Sequence, residues 1–256
     1  MTTIRDIYEY IDSFAPFQSA MSFDNVGLLV GSGENEVGKV LVALDITPET
    51  VSEAAAFGAG LIISHHPVIF NPLRTLSEKD VPYLLAREGI AAICAHTNLD
   101  MSQTFGVNLA LAEKVGIRNL CGMDVLSETG APQWFLGELV EEMTPDAFAH
   151  EVKRKLNAGS VRYTEGKNPV VKVGLCSGSG GEYLENAYRA GADAFLTGEM
   201  RHHEYLIARS IGITAVEAGH FATEAVVTAP LCAKLSAYFP DVVFKPSEER
   251  EPVRFL

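Results

Sequence analysis

Ser64-His65-His66-Pro67 follows the apolar run Leu61-Ile62-Ile63, and the reading of that junction decides the fold. A short apolar run that stops at a proline is a buried strand, and Pro67 keeps a helix from starting directly on the histidines. Two adjacent imidazoles then stand where a parallel strand ends, at the sheet edge where α/β proteins bind their ligands. Neighbours on a strand point to opposite faces, so both rings share one site only if the strand has ended and the backbone turns. Histidine serves equally as a metal ligand and as a buried hydrogen-bonding residue. The pair alone leaves a metal site and a structural corner open.

Working outward, residues 40–44 read as a strand, and Asp45-Ile46-Thr47-Pro48 supplies a cap and an early proline for a helix that runs to Phe57 before Gly58. Upstream, Ile4, Ile7, Tyr8, Ile11 and Phe14 recur at helical spacing, and Ser22 to Gly31 reads as a turn leading into a strand. Downstream, a helix at 81–88, a strand at 90–95 and a helix at 107–115 complete the order α-β-β-α-β-α-β-α. The second half repeats that order, with helices at 145–156, 182–190, from about 202 and at 225–239, and strands at 161–164, 170–176, 194–197 and 213–217. Val40-Leu41-Val42-Ala43 and Gly58-Ala59 match Val173-Gly174-Leu175-Cys176 and Gly191-Ala192 at one offset of 133 positions, which places Ser64-His65-His66 on Thr197-Gly198-Glu199. We read an ancient duplication: two intertwined α/β halves, 1–125 and 126–256, with mixed sheets and a cleft between them. Residues 133–141 and 242–245 read as extra strands added to the sheet of either half. Ser177-Gly178-Ser179-Gly180-Gly181 lacks the Gly-Lys-Ser/Thr ending of a phosphate loop and reads as a tight turn ahead of a phosphate cradle.

Composition narrows the function classes. The 256 residues are 47% hydrophobic and 21% charged, as in ordinary globular proteins. No apolar run approaches the roughly 20 residues of a membrane span. Acidic residues near the N-terminus, where a signal peptide would be basic, lead us to expect a cytoplasmic protein. The net charge of −13 argues against general attraction to a nucleic-acid backbone, but not against a small anionic substrate, because bound dications reverse the local field. Cys94, Cys121, Cys176 and Cys232 lie in apolar segments without C-x-x-C spacing and read as reduced core residues.

Three further strand ends carry chemistry. They are His96-Thr97-Asn98-Leu99-Asp100, Thr197-Gly198-Glu199-Met200-Arg201-His202-His203-Glu204 and Gly219-His220-Phe221-Ala222-Thr223-Glu224. If the last enters a helix at once, His220 and Glu224 share one face. Six of the seven histidines lie at such ends, and only His150 sits on an ordinary amphipathic helix. Imidazoles with carboxylates and no thiolate form the ligand inventory of a catalytic zinc, iron or manganese site with open positions. The competing reading is a buried polar network, which would cost several kcal/mol without a cation. Asp100 can alternatively cap a following helix, and His96 can serve a core hydrogen bond. Asp24-Asn25 is a plain turn or faces the cleft. Glu199, taken as buried, is a general acid or base with a raised pKa or a partner of Arg201.

The motifs S-H-H-P-V-I-F, A-H-T-N-L-D, T-G-E-M-R-H-H and G-H-F-A-T-E, with the early D-N-V-G-L, resemble those of the Nif-three-like family, whose members are commonly called GTP cyclohydrolase 1 type 2 homologues. The resemblance covers almost the whole chain; Phe23 departs from it, standing where many members have tryptophan. It implies duplicated α-β-(β-α)₃ repeats, a dinuclear metal site between the halves and a ring-shaped homohexamer, a trimer of dimers. The implied metal ligands are His65, His66, Asp100, His220 and Glu224, holding two divalent ions. Glu199 and His96, with His202 and His203, would be outer or substrate-facing groups, with Glu199 and His96 passing protons. The implied activity is metal-dependent hydrolysis of a small molecule, such as ring opening of GTP or phosphoester cleavage in a nucleotide. A non-catalytic metal-binding or ring-forming scaffold protein is the reading from another class.

Overall fold

The first helix, α1 (Ile4–Phe14), buries Ile4, Ile7, Ile11 and Phe14 along one stripe. Its start is held by a capping box, in which the Thr3 hydroxyl accepts from the Asp6 amide and the Asp6 carboxylate accepts from the Thr3 amide. Next in this computed structural model, which describes residues 1–256, come β1 (Gly27–Val30), β2 (Lys39–Ala43), α2 (Pro48–Phe57), β3 (Leu61–Ser64), α3 (Val81–Glu88), β4 (Ala91–Cys94), α4 (Thr97–Asp100) and α5 (Val107–Val115). The chain continues through β5 (Ile117–Met123), β6 (Trp134–Met143), α6 (Pro145–Leu156), β7 (Arg162–Thr164), β8 (Val170–Cys176), α7 (Leu184–Arg189), β9 (Ala194–Thr197), α8 (His202–Ile211), β10 (Thr214–Glu217), α9 (His220–Glu224), α10 (Thr228–Tyr238) and β11 (Val243–Pro246).

Two mixed sheets result. Their orders are β1-β4-β3-β2-β11 and β7-β10-β9-β8-β6-β5. In both, the first strand of the repeat lies antiparallel at one edge, beside three parallel strands. The duplication extends to register. Val40 pairs with Leu61 and Ala43 with Ser64 in one sheet, while Val173 pairs with Ala194 and Cys176 with Thr197 in the other, the same positions shifted by 133. At the next pair the shift falls to 123, since Leu61 faces Ala91 and Ala194 faces Thr214, so the first repeat carries ten more residues between those strands.

The chain path accounts for the intertwining. One unit comprises Met1–Thr104 with Val227–Arg250, and the other Phe105–Val226 with Glu251–Leu256. Each repeat therefore gives away its last long helix: α5 belongs to the second unit and α10 to the first. The simple division at residue 125 falls inside the second unit.

In the first unit, the strands β2, β3 and β4 are almost wholly buried apolar runs, as central parallel strands must be. Leu41, Ile62 and Ala92 meet Val51, Ala54 and Leu85 of α2 and α3, and α10 packs on β2 and β11. In the second unit, α5 and α6 cover one face through Leu111, Val115, Phe148 and Val152 over Val173, Leu175 and Val216. On the other face α7 and α8 pack Leu184, Ala187 and Ala208 against Trp134 and Phe195.

The expected extra strands are β6, antiparallel to β8, and β11, parallel to β2. The helix expected over 225–239 is broken by a one-turn 3-10 segment, Ala225–Val227, which separates α9 from α10. The cysteines are all reduced, but Cys121, on edge strand β5, is exposed and does not belong to the core.

Candidate metal centre

Strand β3 ends at Ser64, whose hydroxyl donates to the His66 carbonyl at 2.8 Å and so closes the turn that the adjacent histidines require. In the first unit the His65, His66 and His96 rings then lie 5.1 to 5.4 Å apart, centroid to centroid, and present ligand nitrogens within 4.8 Å of one another. Each ring is held from behind by its Nδ1, which lies 2.9 Å from an oxygen: the Ala95 carbonyl for His65, Asp45 Oδ1 for His66 and Asp24 Oδ1 for His96. These acceptors fix Nδ1 as the protonated nitrogen and turn the Nε2 lone pairs away from them. Metal-binding histidines are oriented in this manner.

His65 Nε2 faces Asp100 Oδ1 at 3.5 Å with its ring almost fully buried. A lone pair set against a carboxylate is a repulsive arrangement that a proton or a cation between them relieves. Asp100 closes the four-residue helix α4, whereas the next helix starts after Gly106, so Asp100 is not the N-cap of that helix.

Asp24 resolves the question of the early turn. Burial works to raise its carboxyl, but hydrogen bonds from His96 and from the Thr97 hydroxyl and amide outweigh that and hold it at about 2. Asp45 likewise does not cap α2, because Thr47 does, accepting from the Thr50 amide at 3.2 Å. Asp24 and Asp45 are thus orienting carboxylates, and sequence reasoning missed that function in both.

In the second unit, helix α9 begins directly after Gly219. His220 Nε2 lies 3.0 Å from Glu224 Oε2, the expected i to i+4 pair, while Nδ1 faces Glu199 Oε2 at 3.4 Å. Both nitrogens of one imidazole look at carboxylates, again a cation-seeking arrangement. Glu224 is buried and Glu199 is exposed, contrary to the expectation of a buried Glu199. Its partners are the Ser179 hydroxyl, at 2.8 Å, and His220, not Arg201. His202 and His203 are exposed at the start of α8 and join neither cluster, and His150 is exposed on α6.

The glycine-rich segment is a tight turn. The Ser177, Gly178 and Gly180 amides donate to Asn108 Oδ1, Thr223 Oγ1 and Thr197 Oγ1 at 2.8, 3.2 and 3.0 Å, so they are occupied within the protein. Gly178 adopts φ +57°, and a Cβ there would strike the Glu224 carboxylate. At Gly198 a Cβ would come within 2.6 Å of Thr223 Oγ1 and 2.7 Å of the Gly178 carbonyl. The two glycines let the loop close against the carboxylate-bearing turn of α9.

A cavity of about 750 Å³ opens in this unit beside His220 and Glu199 and extends to Arg162, Arg201 and Glu217, with Phe255 of the C-terminal segment on its wall. Buried Glu217 accepts from Arg162, Tyr205 and, at 3.1 Å, the Met200 amide. Arg162 is thereby neutralised, which leaves Arg201 as the lining cation without a carboxylate within ion-pair distance.

Duplicated mixed sheets with imidazole and carboxylate groups gathered at their strand ends define an α/β protein carrying candidate ligands for divalent cations. Residues 2–252 match the Duf34/NIF3 (NGG1p interacting factor 3) family, and the chain belongs to it. A Clostridium perfringens relative named GTP cyclohydrolase 1 type 2 homolog is 34% identical, with 99% of each chain covered. One of the same name from Campylobacter jejuni is 32% identical over 86% of this chain and 87% of its own. Among solved structures, a Staphylococcus aureus hypothetical protein superposes with a TM-score of 0.93 at 29% identity, covering 100% of this chain and 99% of that one. A Bacillus cereus protein related to NIF3 gives 0.89 at 25% identity, with 99% of both covered.

Proposed function

We propose that the chain is a metal-dependent hydrolase in which His65, His66 and Asp100, together with His220 and Glu224, hold two divalent ions. The observation that carries this reading is the convergence of three imidazoles, each braced through Nδ1 by an oxygen acceptor. Ligand arithmetic extends it: His220 and Glu224 are two donors, fewer than the three protein ligands usual in a catalytic site. Such ions, when bound, supply Lewis acidity and lower the pKa of a coordinated water towards neutrality.

The chain's own residues do the remaining work. Asp24 and Asp45 keep His96 and His66 in one tautomer and strengthen them as donors. His96 has the same bracing as the two ligands beside it, which suits it to ligation as well as to proton transfer. Glu199, exposed at the cavity and within reach of Ser179 and His220, is placed to accept and return a proton. The cavity offers room for a nucleotide-sized substrate, and Arg201 offers an anchor for an anionic group. The relatives' names fit a purine nucleotide as that substrate.

The test is turnover of a panel of purine nucleotides and phosphoesters by protein loaded in turn with zinc, manganese and iron. Activity that is lost in folded His65→Ala and Glu224→Ala variants supports the hydrolase. Stoichiometric metal binding with no turnover on any substrate would instead make the protein a non-catalytic metal binder.

A further inference from the structure

We propose that Glu249, near the C-terminus, is a positioning residue for the metal centre, acting through Leu44 and Asp45 on His66; this rests on the metal-binding reading above. The first unit supplies the whole chain of contacts. Glu249 Oε1 accepts from the Leu44 amide, and its Oε2 accepts from the Asp45 amide at 3.0 Å, so one carboxylate clamps the two backbone positions that follow β2. Those two positions hold His66 twice. The Leu44 carbonyl accepts from the His66 amide at 2.9 Å, and Asp45 Oδ1 accepts from the His66 ring at 2.9 Å. The Asp45 carbonyl also accepts from the Thr50 hydroxyl at 3.1 Å, which limits rotation of the segment on its other side.

Leu44 is buried, and a backbone amide held away from water without an acceptor is costly. A bidentate carboxylate makes charge-assisted bonds to both amides and sets the direction of the Asp45 side chain. The Glu249 carboxylate is carried there by β11, whose parallel register with β2 runs from Val243 opposite Lys39 to Pro246 opposite Val42. The Ser247 amide then donates to the Val42 carbonyl at 2.8 Å, leaving Glu249 level with the end of β2. The segment has a second tether that does not touch Leu44 or Asp45: Glu53 of α2 accepts from the Ser247 hydroxyl and the Glu248 amide. That tether provides the control.

The test uses the full chain as wild type, Glu249→Ala, Glu249→Gln and Glu53→Gln. Zinc affinity is measured by competition titration, and the His66 tautomer by long-range proton–nitrogen NMR on metal-free protein. In Glu249→Ala the expected results are about tenfold weaker zinc binding, the low end of the range for residues behind metal ligands, and a His66 ring that no longer holds the single Nδ1–H form. Glu249→Gln keeps the shape but lacks the second acceptor oxygen; it is expected to fall between Glu249→Ala and wild type, and it carries the test if Glu249→Ala does not fold. Glu53→Gln is expected to match wild type in both readings. Unchanged affinity and tautomer in a folded Glu249 variant would overturn the proposal, as would an equal loss in Glu53→Gln, which would reduce Glu249 to a tail anchor. If wild-type protein binds no zinc, the metal reading fails, while the tautomer still decides whether Glu249 orients His66.

Discussion

Two glycines do for Glu224 what Asp24 and Asp45 do for the histidines: they leave one geometry for the side chain and exclude others. Gly178→Ala would combine a strained left-handed backbone with a collision against Glu224, and Gly198→Ala would press on Thr223 and the Gly178 carbonyl. We expect Gly198→Ala to lower stability by about 1–3 kcal/mol, the usual penalty for overpacking a tight site, read from denaturant midpoints. Asp45→Asn is expected to weaken metal binding about 10- to 100-fold while the protein stays folded, because the His66 ring loses its charged brace; calorimetric titration measures it. The histidines and Asp100 could be found in the sequence because each sits next to a readable strand end. Their braces could not. Asp24 lies 72 residues from His96 and Asp45 lies 21 from His66; Asp24 reads as a plain turn or a cleft-facing residue, and Asp45 as part of a helix cap. The local signal for Asp45 was only that Thr47 already filled the capping position.

Among the elements, the central parallel strands were legible because they are unbroken apolar runs flanked by turn residues. Strand β5 was not. Its register slips between Arg118 and Cys121, Asn119 takes a positive φ of 54°, and much of the strand is exposed, so no two-residue alternation survives. The break between α9 and α10 was equally hidden, since Ala225-Val226-Val227 continues an apolar helical pattern. Strand β11 offers a pH test. Burial works against ionised Glu53, yet the Glu248 amide, Lys245 and Ser247 outweigh it and hold its carboxyl below the ordinary 4.5. A carboxylate lowered in the folded state adds stability above its unfolded pKa and loses it as the pH falls through the folded one. Urea midpoints should therefore decline from about pH 6 to about pH 3 more steeply in wild type than in Glu53→Gln, and equal slopes would show that this tether contributes nothing.

At the level of the whole molecule, the duplication was visible in the sequence as an offset, and the sheets carry it to the register of individual pairs. The exchange of the last long helices was not visible, because helix spacing says which face is apolar and nothing about which sheet receives it. If ions bind only the folded protein, a metal concentration one hundred times the dissociation constant should add about 2.7 kcal/mol per independent site. The melting temperature should rise accordingly, return to its starting value with chelator, and respond far less in His65→Ala. No helix is long and apolar enough to cross a membrane. The chain passes between its units three times, after Thr104, Val226 and Arg250. A cut after Thr104 or Val226 parts β2 from β11 and α10, so we expect 1–104 expressed alone to be insoluble, and a soluble, independently folded 1–104 would contradict the division. Strand β11 is the last to be synthesised and completes the first sheet beside β2. On the ribosome the first unit therefore keeps one sheet edge unpaired until residue 246 has emerged, after every strand of the second unit has been made.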